Sequence, residues 1–419
     1  MSATDITALD RAHVWHPYTQ HAVAPTPITI SRAEGALLYE PSGRAILDAI
    51  SSWWVTLHGH AEPTIAAAIA EQARTLEQVI FAGFTHEPAA RLAAELAARL
   101  PPGLDRVFFS DNGSTAVEVA IKMALQYWTN RGAPRPTIAA LDHAYHGDTF
   151  GAMSASARGL FTAPFTQHLF DVVRLGDPQS DDIVAALDAA PPLAAVLVEP
   201  LLQGAGGMRM WDAATLRALR AATAERGILL IADEVLTGFG RTGPLFACET
   251  AGITPDIICL SKGLTGGFMP LGATAVRQGV FDEFLRDDRR LTLFHGHSFT
   301  ANPLACAAAR ASLALLDDAS AARRSAIERS HRAGIARLAT HPRVRQPRVL
   351  GTVAAINLDA PDTGYLSAIG PRLASFALDN DVFLRPMGDV VYVLPPYCTT
   401  DEQLTRVYDV IAAFLEECL

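Results

Sequence analysis

The sequence predicts an α/β protein built around a mainly parallel sheet, with a smaller α+β part, and three observations carry that expectation. Short apolar runs without polar alternation, at 228–232 and Ile257–Leu260, read as strands covered on both faces. From about residue 61, such runs alternate with stretches of helical apolar periodicity, the pattern of βαβ units. Near residue 315 the chain turns arginine-rich and helical, then returns to strands and a last helix. The expected division is an N-terminal segment over 1–62, a large domain over 63–314 and a C-terminal small domain over 315–419.

Composition supports one large core. The 419 residues are 50% hydrophobic and 19% charged, enough apolar side chain to exclude disorder. A net charge of −10 without a basic tract argues against nucleic-acid binding. The five cysteines, at 248, 259, 306, 398 and 418, lack metal-ligand spacing and read as buried free thiols in a reducing compartment. The first residues lack the pattern of a signal peptide, and no apolar run is long enough to span a membrane. A soluble cytoplasmic protein is expected.

Taken in order, residues 1–60 are expected to be irregular and aromatic-rich, with HVWHPYTQ at 13–20 and ISSWWVTLHGH at 50–60. Trp15 and Trp54 suit core or interface packing. Tyr18 and Trp53 lie on turn-prone stretches, where aromatics with a polar end often line pockets. Helices are expected over 62–75 and 88–100, and a strand over Arg106–Ser110. A helical stripe follows, with apolar positions at 117, 121, 124, 125 and 128. The Asp-Asn-Gly-Ser junction before it leaves backbone N–H groups free, so Gly113 and Ser114 suit a phosphate; a plain N-cap by Asp111 or Asn112 explains the same residues.

The strand at 137–141 leads into a loop carrying Tyr145, placed to stack on a flat ring, and His146, either catalytic or a hydrogen-bonded structural histidine. A strand at 195–199 ends in Glu199, and the LLQGAGGM after it lacks dinucleotide-binding spacing. A helix over 212–226 leads into the 228–232 strand, which ends at Asp233. Lys262 lies just past the Ile257–Leu260 strand. Ligands of open α/β sheets bind beyond the carboxyl ends of the strands, so one crevice receives both a carboxylate and an amine.

Lysine occurs at only two positions, 122 and 262, among 34 Lys+Arg. Arginine replaces lysine in most ion-pair roles but stays protonated and cannot act as an amine nucleophile. Lys262 is therefore a candidate for covalent attachment to a carbonyl. Lys122, four residues after Glu118, reads as half of a surface ion pair. Further on, Gly266 and Gly267 allow close backbone approach to a ligand. Ser298 and Thr300 precede a helix beginning at Asn302, a second hydroxyl-rich start suited to phosphate. His295 and His297 have no further ligands spaced for zinc, and no metal is assigned. Strands at 349–358, 382–384 and within 390–397, and a helix over 401–417, complete the chain. Arg385 is a carboxylate clamp or an interdomain ion pair.

A lysine, a carboxylate, two phosphate-type helix starts and an aromatic loop together match the needs of pyridoxal 5′-phosphate. IADEVLTGFGRTG followed by ICLSKGLTGG resembles the class III, fold-type I pyridoxal-phosphate aminotransferases, over essentially the whole chain. The resemblance implies a large domain around a seven-stranded sheet, and a homodimer with shared active sites. It implies catalytic roles for Lys262, Asp233 and Tyr18. Lys262 would carry the cofactor and Asp233 pair with its pyridine nitrogen. Gly113 and Ser114 would hold its phosphate, with Ser298 of the partner subunit, and Tyr145 would stack on its ring. Tyr18, Trp53, Tyr145, Lys262, Arg385 and Tyr392 would meet substrate; Glu199 and Arg241 match family positions without a clear role.

Within the class, WHPYTQ at 15–20 and SSWW at 51–54 resemble the members that serve biotin synthesis. That implies 8-amino-7-oxononanoate as amino acceptor and S-adenosylmethionine as donor, with lysine as an alternative donor left open. Another class III enzyme acting on ω-amino acids or diamines, or an aminomutase, is the competing reading. Two departures stand out: HGHSF replaces the family's usual HGPTF, placing His297 and Ser298, and Gly263 replaces the commoner alanine.

Overall fold

The computed structural model describes residues 3–418; Met1, Ser2 and Leu419 lie outside the described residues. Its centre is a seven-stranded sheet of β1 (Arg106–Ser110), β2 (Thr137–Ala140), β3 (Val173–Arg174), β4 (Leu193–Val198), β5 (Leu229–Asp233), β6 (Ile257–Leu260) and β7 (Gly272–Val276). The spatial order is β1-β7-β6-β5-β4-β2-β3. Every pairing is parallel except those of β7, which runs antiparallel to both β6 and β1. The expected α/β class with a mainly parallel seven-stranded sheet is borne out. β4, β5, β6 and β7 are buried at every residue, which explains why their sequences show no alternation.

Helices cover the sheet. The helix Gly113–Asn130 starts with a capping box: the Asn112 side chain accepts from Thr115 N at 2.9 Å, and Asn112 N donates to Thr115 Oγ1 at 3.1 Å. Its apolar stripe, including Val117, Ala120 and Ala124, packs with Ile231 and Ile257 of the sheet.

Two smaller sheets bring the chain ends to the site. Arg32–Glu34, Leu37–Tyr39 and Ala45–Asp48 form a sheet that Val382–Phe383 joins in parallel, with Phe383 opposite Asp48. This register sets Arg385, just past Phe383, beside the 51–54 turn. Val344–Leu350, Val353–Leu358 and Val390–Val393 make the third sheet.

Several expectations need correction. The N-terminal stretch is not irregular: Ala3–His13 is a helix and three strands follow. The single strand expected over 349–358 is a hairpin, broken at Gly351, whose φ is +55° and which abuts the Arg241 carbonyl. β7 gave no signal, because GATAV is short and small. Cys248, Cys259 and Cys306 are buried free thiols, but Cys398 is exposed and Cys418 intermediate. Among the described residues no helix is long and apolar enough to cross a membrane.

Candidate active site

A cavity of about 580 Å³ opens where β1, β2, β4, β5 and β6 end, lined by residues that follow each of them. The polar floor comes from the strand ends. Asp233 closes β5, and one carboxylate oxygen takes a hydrogen bond from His146 Nδ1 at 2.7 Å while the other accepts Val235 N at 3.1 Å. His146 is 3% exposed, its backbone N–H bonded to Ser156 Oγ and its Nε2 without a partner among the described residues. The histidine left open between two roles thus orients the carboxylate.

Asp233 lines the cavity, whereas Glu234, the residue just past β5, does not. Glu234 turns away from the cavity and accepts from Ala247 N, Cys248 N and Thr237 Oγ1, capping the short helix that follows. Glu199, just past β4, accepts from Tyr145 N and Gly204 N, each at 3.0 Å. Burial pushes its carboxyl up to about 7, with Asp233 acting the same way and His146 opposing.

Lys262 adopts a left-handed φ of +43°, a conformation costly for a side-chain-bearing residue and characteristic of functional sites. Its amine lies 5.0 Å from the centroid of the Trp54 ring. Burial pushes the amine below the ordinary lysine range, against the pull of Asp233 and Glu199.

The mouth is aromatic and comes from both chain ends. Tyr18 donates to Asp148 Oδ2 at 2.5 Å and lies 3.3 Å from the Tyr145 hydroxyl. Burial, reinforced by the bond to Asp148, raises its phenol to about 12, so Tyr18 stays protonated. Its ring meets Trp53 edge-on at 5.5 Å and Phe161 at 5.7 Å. The Arg385 guanidinium stands 4.5 Å from the Trp53 ring centroid. Behind this wall, Trp54 Nε1 donates to the Tyr392 hydroxyl at 3.1 Å.

The 51–54 turn that carries the tryptophans is strained, with φ positive at Ser51, Ser52 and Trp54. Fully buried Asp48 holds it, accepting from Ile50 N, Ser52 N and His60 Nε2. Arg241, 1% exposed, donates to the carbonyls of Trp54, Thr56 and Pro395 and so ties the turn to the C-terminal part.

Gly113, Ser114, Tyr18, Trp53, Tyr145, Asp233, Lys262, Arg385 and Tyr392 all line this one cavity; Ser298 does not. Ser298 is exposed, and its carbonyl accepts from Gln78 Nε2 at 2.7 Å. Trp54 packs in the core as expected, 6% exposed, and also lines the cavity, whereas Trp15 is 88% exposed. Lys122 is not paired with Glu118: its amine reaches the Phe294 carbonyl and His295 Nδ1, and Glu118 accepts from Thr149, Gly151 and Ala152. Sequence reasoning passed over Asp148, Phe161 and Tyr365, which also line the cavity. Asp148 had a signal, an acid on the same ligand-side loop as Tyr145.

Comparison with known proteins agrees with this geometry. The family model for aminotransferase class-III matches residues 18–415. An adenosylmethionine-8-amino-7-oxononanoate aminotransferase of Synechococcus elongatus is 53% identical, over 97% of this chain and 99% of its own. A protein of the same name from Geobacter sulfurreducens is 38% identical over 96% and 95%. Among solved structures, the enzyme of that name from Methanocaldococcus jannaschii superposes with a TM-score of 0.94 at 31% identity, covering 98% of this chain and 99% of that one. An omega transaminase from Pseudomonas jessenii, solved in complex with PMP, gives 0.93 at 27% identity, covering 98% of each chain. Matched by the family model over residues 18–415 and by relatives 53% and 38% identical over nearly its whole length, the chain belongs to the class III aminotransferases.

Proposed function

We propose that this protein transfers an amino group from S-adenosylmethionine to 8-amino-7-oxononanoate, giving 7,8-diaminononanoate for biotin synthesis. In this reading it uses pyridoxal 5′-phosphate and works in the cytoplasm as a homodimer. The observation that carries the proposal is the meeting, in one cavity, of a strand-end lysine and carboxylate with an arginine braced on an aromatic mouth. The names of the full-length relatives supply the substrates.

The residues present fit the cofactor. A Cβ on Gly147 would come 2.0 Å from Ser114 Oγ, and one on Gly113 would come 2.6 Å from Val235 Cγ1. Gly147 is thus tight against Ser114 and Gly113 against Val235, and with Ser114 they line the cavity at the start of the Gly113–Asn130 helix, whose first N–H groups and dipole favour an anion. Asp233 is fixed on two sides, by His146 Nδ1 and Val235 N, which holds its carboxyl group at the strand end where a partner for the ring nitrogen must stand. When bound, the cofactor supplies an electron sink for charge developing at the substrate carbon.

The chain's own residues do the rest. Lys262 would hold the cofactor, and its amine would move the proton at the reacting carbon. A depressed pKa leaves more of that amine neutral and able to accept the proton. Tyr145 covers the ring, and Tyr18, anchored by Asp148, positions the substrate amine. Asp148 places negative charge at the mouth, which suits a cationic donor. Arg385 binds the carboxylate of the keto acid with a charge-assisted fork, and Trp53, Trp54 and Tyr392 shape the tunnel between. In the homodimer, Ser298 serves the phosphate of the neighbouring subunit's site.

Single-turnover absorbance of the cofactor-loaded protein tests the proposal. S-Adenosylmethionine should remove the band of the lysine-bound cofactor, and 8-amino-7-oxononanoate should restore it. Restoration by simple keto acids but not by 8-amino-7-oxononanoate would replace this reading with an ω-amino acid aminotransferase.

A further inference from the structure

A second chamber of about 280 Å³ adjoins the catalytic cavity, and Ala205, Tyr365 and Met387 line both. These three residues stand between a catalytic room and an outer one. We infer that the outer chamber receives the purine nucleoside part of the amino donor. The inference rests on the donor reading above and deepens it by locating the part of the donor that does not react.

The chamber wall carries a feature that sheet formation alone does not require. Gln346 interrupts its strand: the pairing with Val353–Leu358 slips between Arg345 and Arg348, and Gln346 takes a φ of +47°. A bulge of this kind re-aims side chains, and a left-handed conformation is costly for a non-glycine residue. The result is a carboxamide on the chamber lining. Arg209 lines it as well; its terminal nitrogen pairs with Asp177, while its Nε is buried without a hydrogen-bond partner among the described residues.

Beside it on the same sheet stand Asn357, on the paired strand, and Asp389, just before the next strand. Arg348 donates to Asn357 Oδ1 at 2.8 Å, Asn357 Nδ2 to Asp389 Oδ2 at 3.3 Å and Gly364 N to Asp389 Oδ1 at 2.7 Å, which fixes both groups and leaves one lone pair on each carboxylate oxygen. A carboxamide recognises the adenine edge with paired hydrogen bonds. A carboxylate accepts ribose hydroxyls, and a half-exposed tyrosine between the two rooms offers a ring on which a base stacks.

Neither alternative substrate uses this set. The keto acid ends in a carboxylate, met by Arg385 inside the first cavity, and its unbranched chain has no ring or hydroxyl groups. Lysine as donor would leave the outer chamber unused. A donor bearing a nucleoside fills both rooms.

Adenosine and the variant Gln346→Ala test the inference in the cofactor-loaded enzyme, with the two half-reactions followed separately. In the wild type, adenosine should compete with S-adenosylmethionine and leave the half-reaction with 8-amino-7-oxononanoate unaffected. Gln346→Ala should weaken both adenosine and S-adenosylmethionine about three- to tenfold, the loss of one or two hydrogen bonds, with the KM for the keto acid unchanged. Inhibition of both half-reactions alike, no inhibition, or unchanged constants in the variant would overturn the subsite and leave the proposed reaction standing. A wild-type enzyme that reacts with lysine but not with S-adenosylmethionine would instead overturn the donor itself.

Discussion

At the floor of the cavity, Asp233, Glu199 and Lys262 sit at or just past the ends of strands that are buried along their whole length. At the mouth, Tyr18, Trp53 and Arg385 come from turns near the two chain ends, and Tyr18 and Trp53 are 43% and 38% exposed. The floor is placed by a hydrogen-bonded sheet and shifts its proton affinities by burial; the mouth is placed by side-chain contacts with strained backbone. Proton transfer depends on fractions of an ångström, so it belongs on strand ends. Recognition of two unlike substrates by one cavity needs surfaces that can adjust, and those suit turns. Mutations at the floor should therefore lower kcat, and mutations at the mouth should raise KM.

Lys262→Ala is the strongest test. It should lower turnover by at least about 1,000-fold, since no other lysine lines the cavity to replace the lost amine. The absorbance of lysine-bound cofactor should vanish with it. Turnover within tenfold of the wild type would break the assignment of the floor.

Asp233→Asn should cost about 100- to 1,000-fold in kcat, the scale for removing one preorganised electrostatic group, with KM for the keto acid little changed. It also carries a sign. Asp233 and Glu199 both favour the charged form of Lys262. Removing one carboxylate should move the titration of the Lys262 amine further down, not up. Acylation of Lys262 in the cofactor-free protein at a series of pH values, read by mass spectrometry, measures this without turnover. An upward move would mean that burial is not what depresses the lysine.

Arg385→Ala tests the mouth. A hydrogen bond between charged groups contributes about 1.5–3 kcal/mol, so the KM for 8-amino-7-oxononanoate should rise about 10- to 100-fold with a smaller change in kcat. The half-reaction with S-adenosylmethionine should change less. A large fall in kcat for both halves would erase the distinction between floor and mouth.

The two regions also differed in how far the sequence disclosed them. The floor was legible because buried parallel strands are continuous apolar runs, and because Lys262 stands out in an arginine-rich chain. The mouth was legible residue by residue but assembled only through resemblance, since Tyr18 and Arg385 are far apart in the chain and come together at Trp53. Asp48 and Phe161 went unnoticed for the same reason: an aspartate that holds a strained turn looks like any strand-end aspartate until Ser52 and His60 are seen around it. Lys122 shows the reverse error. Its spacing from Glu118 suited an ion pair, but loops packing on the helix offered both residues other partners.

The smallest expected effect separates packing from chemistry beside Lys262. A Cβ on Gly263, the residue after Lys262, would lie 2.8 Å from Leu57 Cδ1 and 3.1 Å from its Cγ. Leu57 is fully buried and has little room to yield. Gly263→Ala should thus destabilise the protein by about 1–3 kcal/mol, the range for one added methyl in a filled core, although alanine is the better helix former. Thermal unfolding measures the loss. Leu57→Val opens space at the same point, so Gly263→Ala combined with Leu57→Val should cost less than the sum of the two single changes. Strict additivity would mean that the glycine serves the left-handed turn at Lys262 rather than the packing against Leu57. In that case Gly263→Ala should lower kcat along with stability.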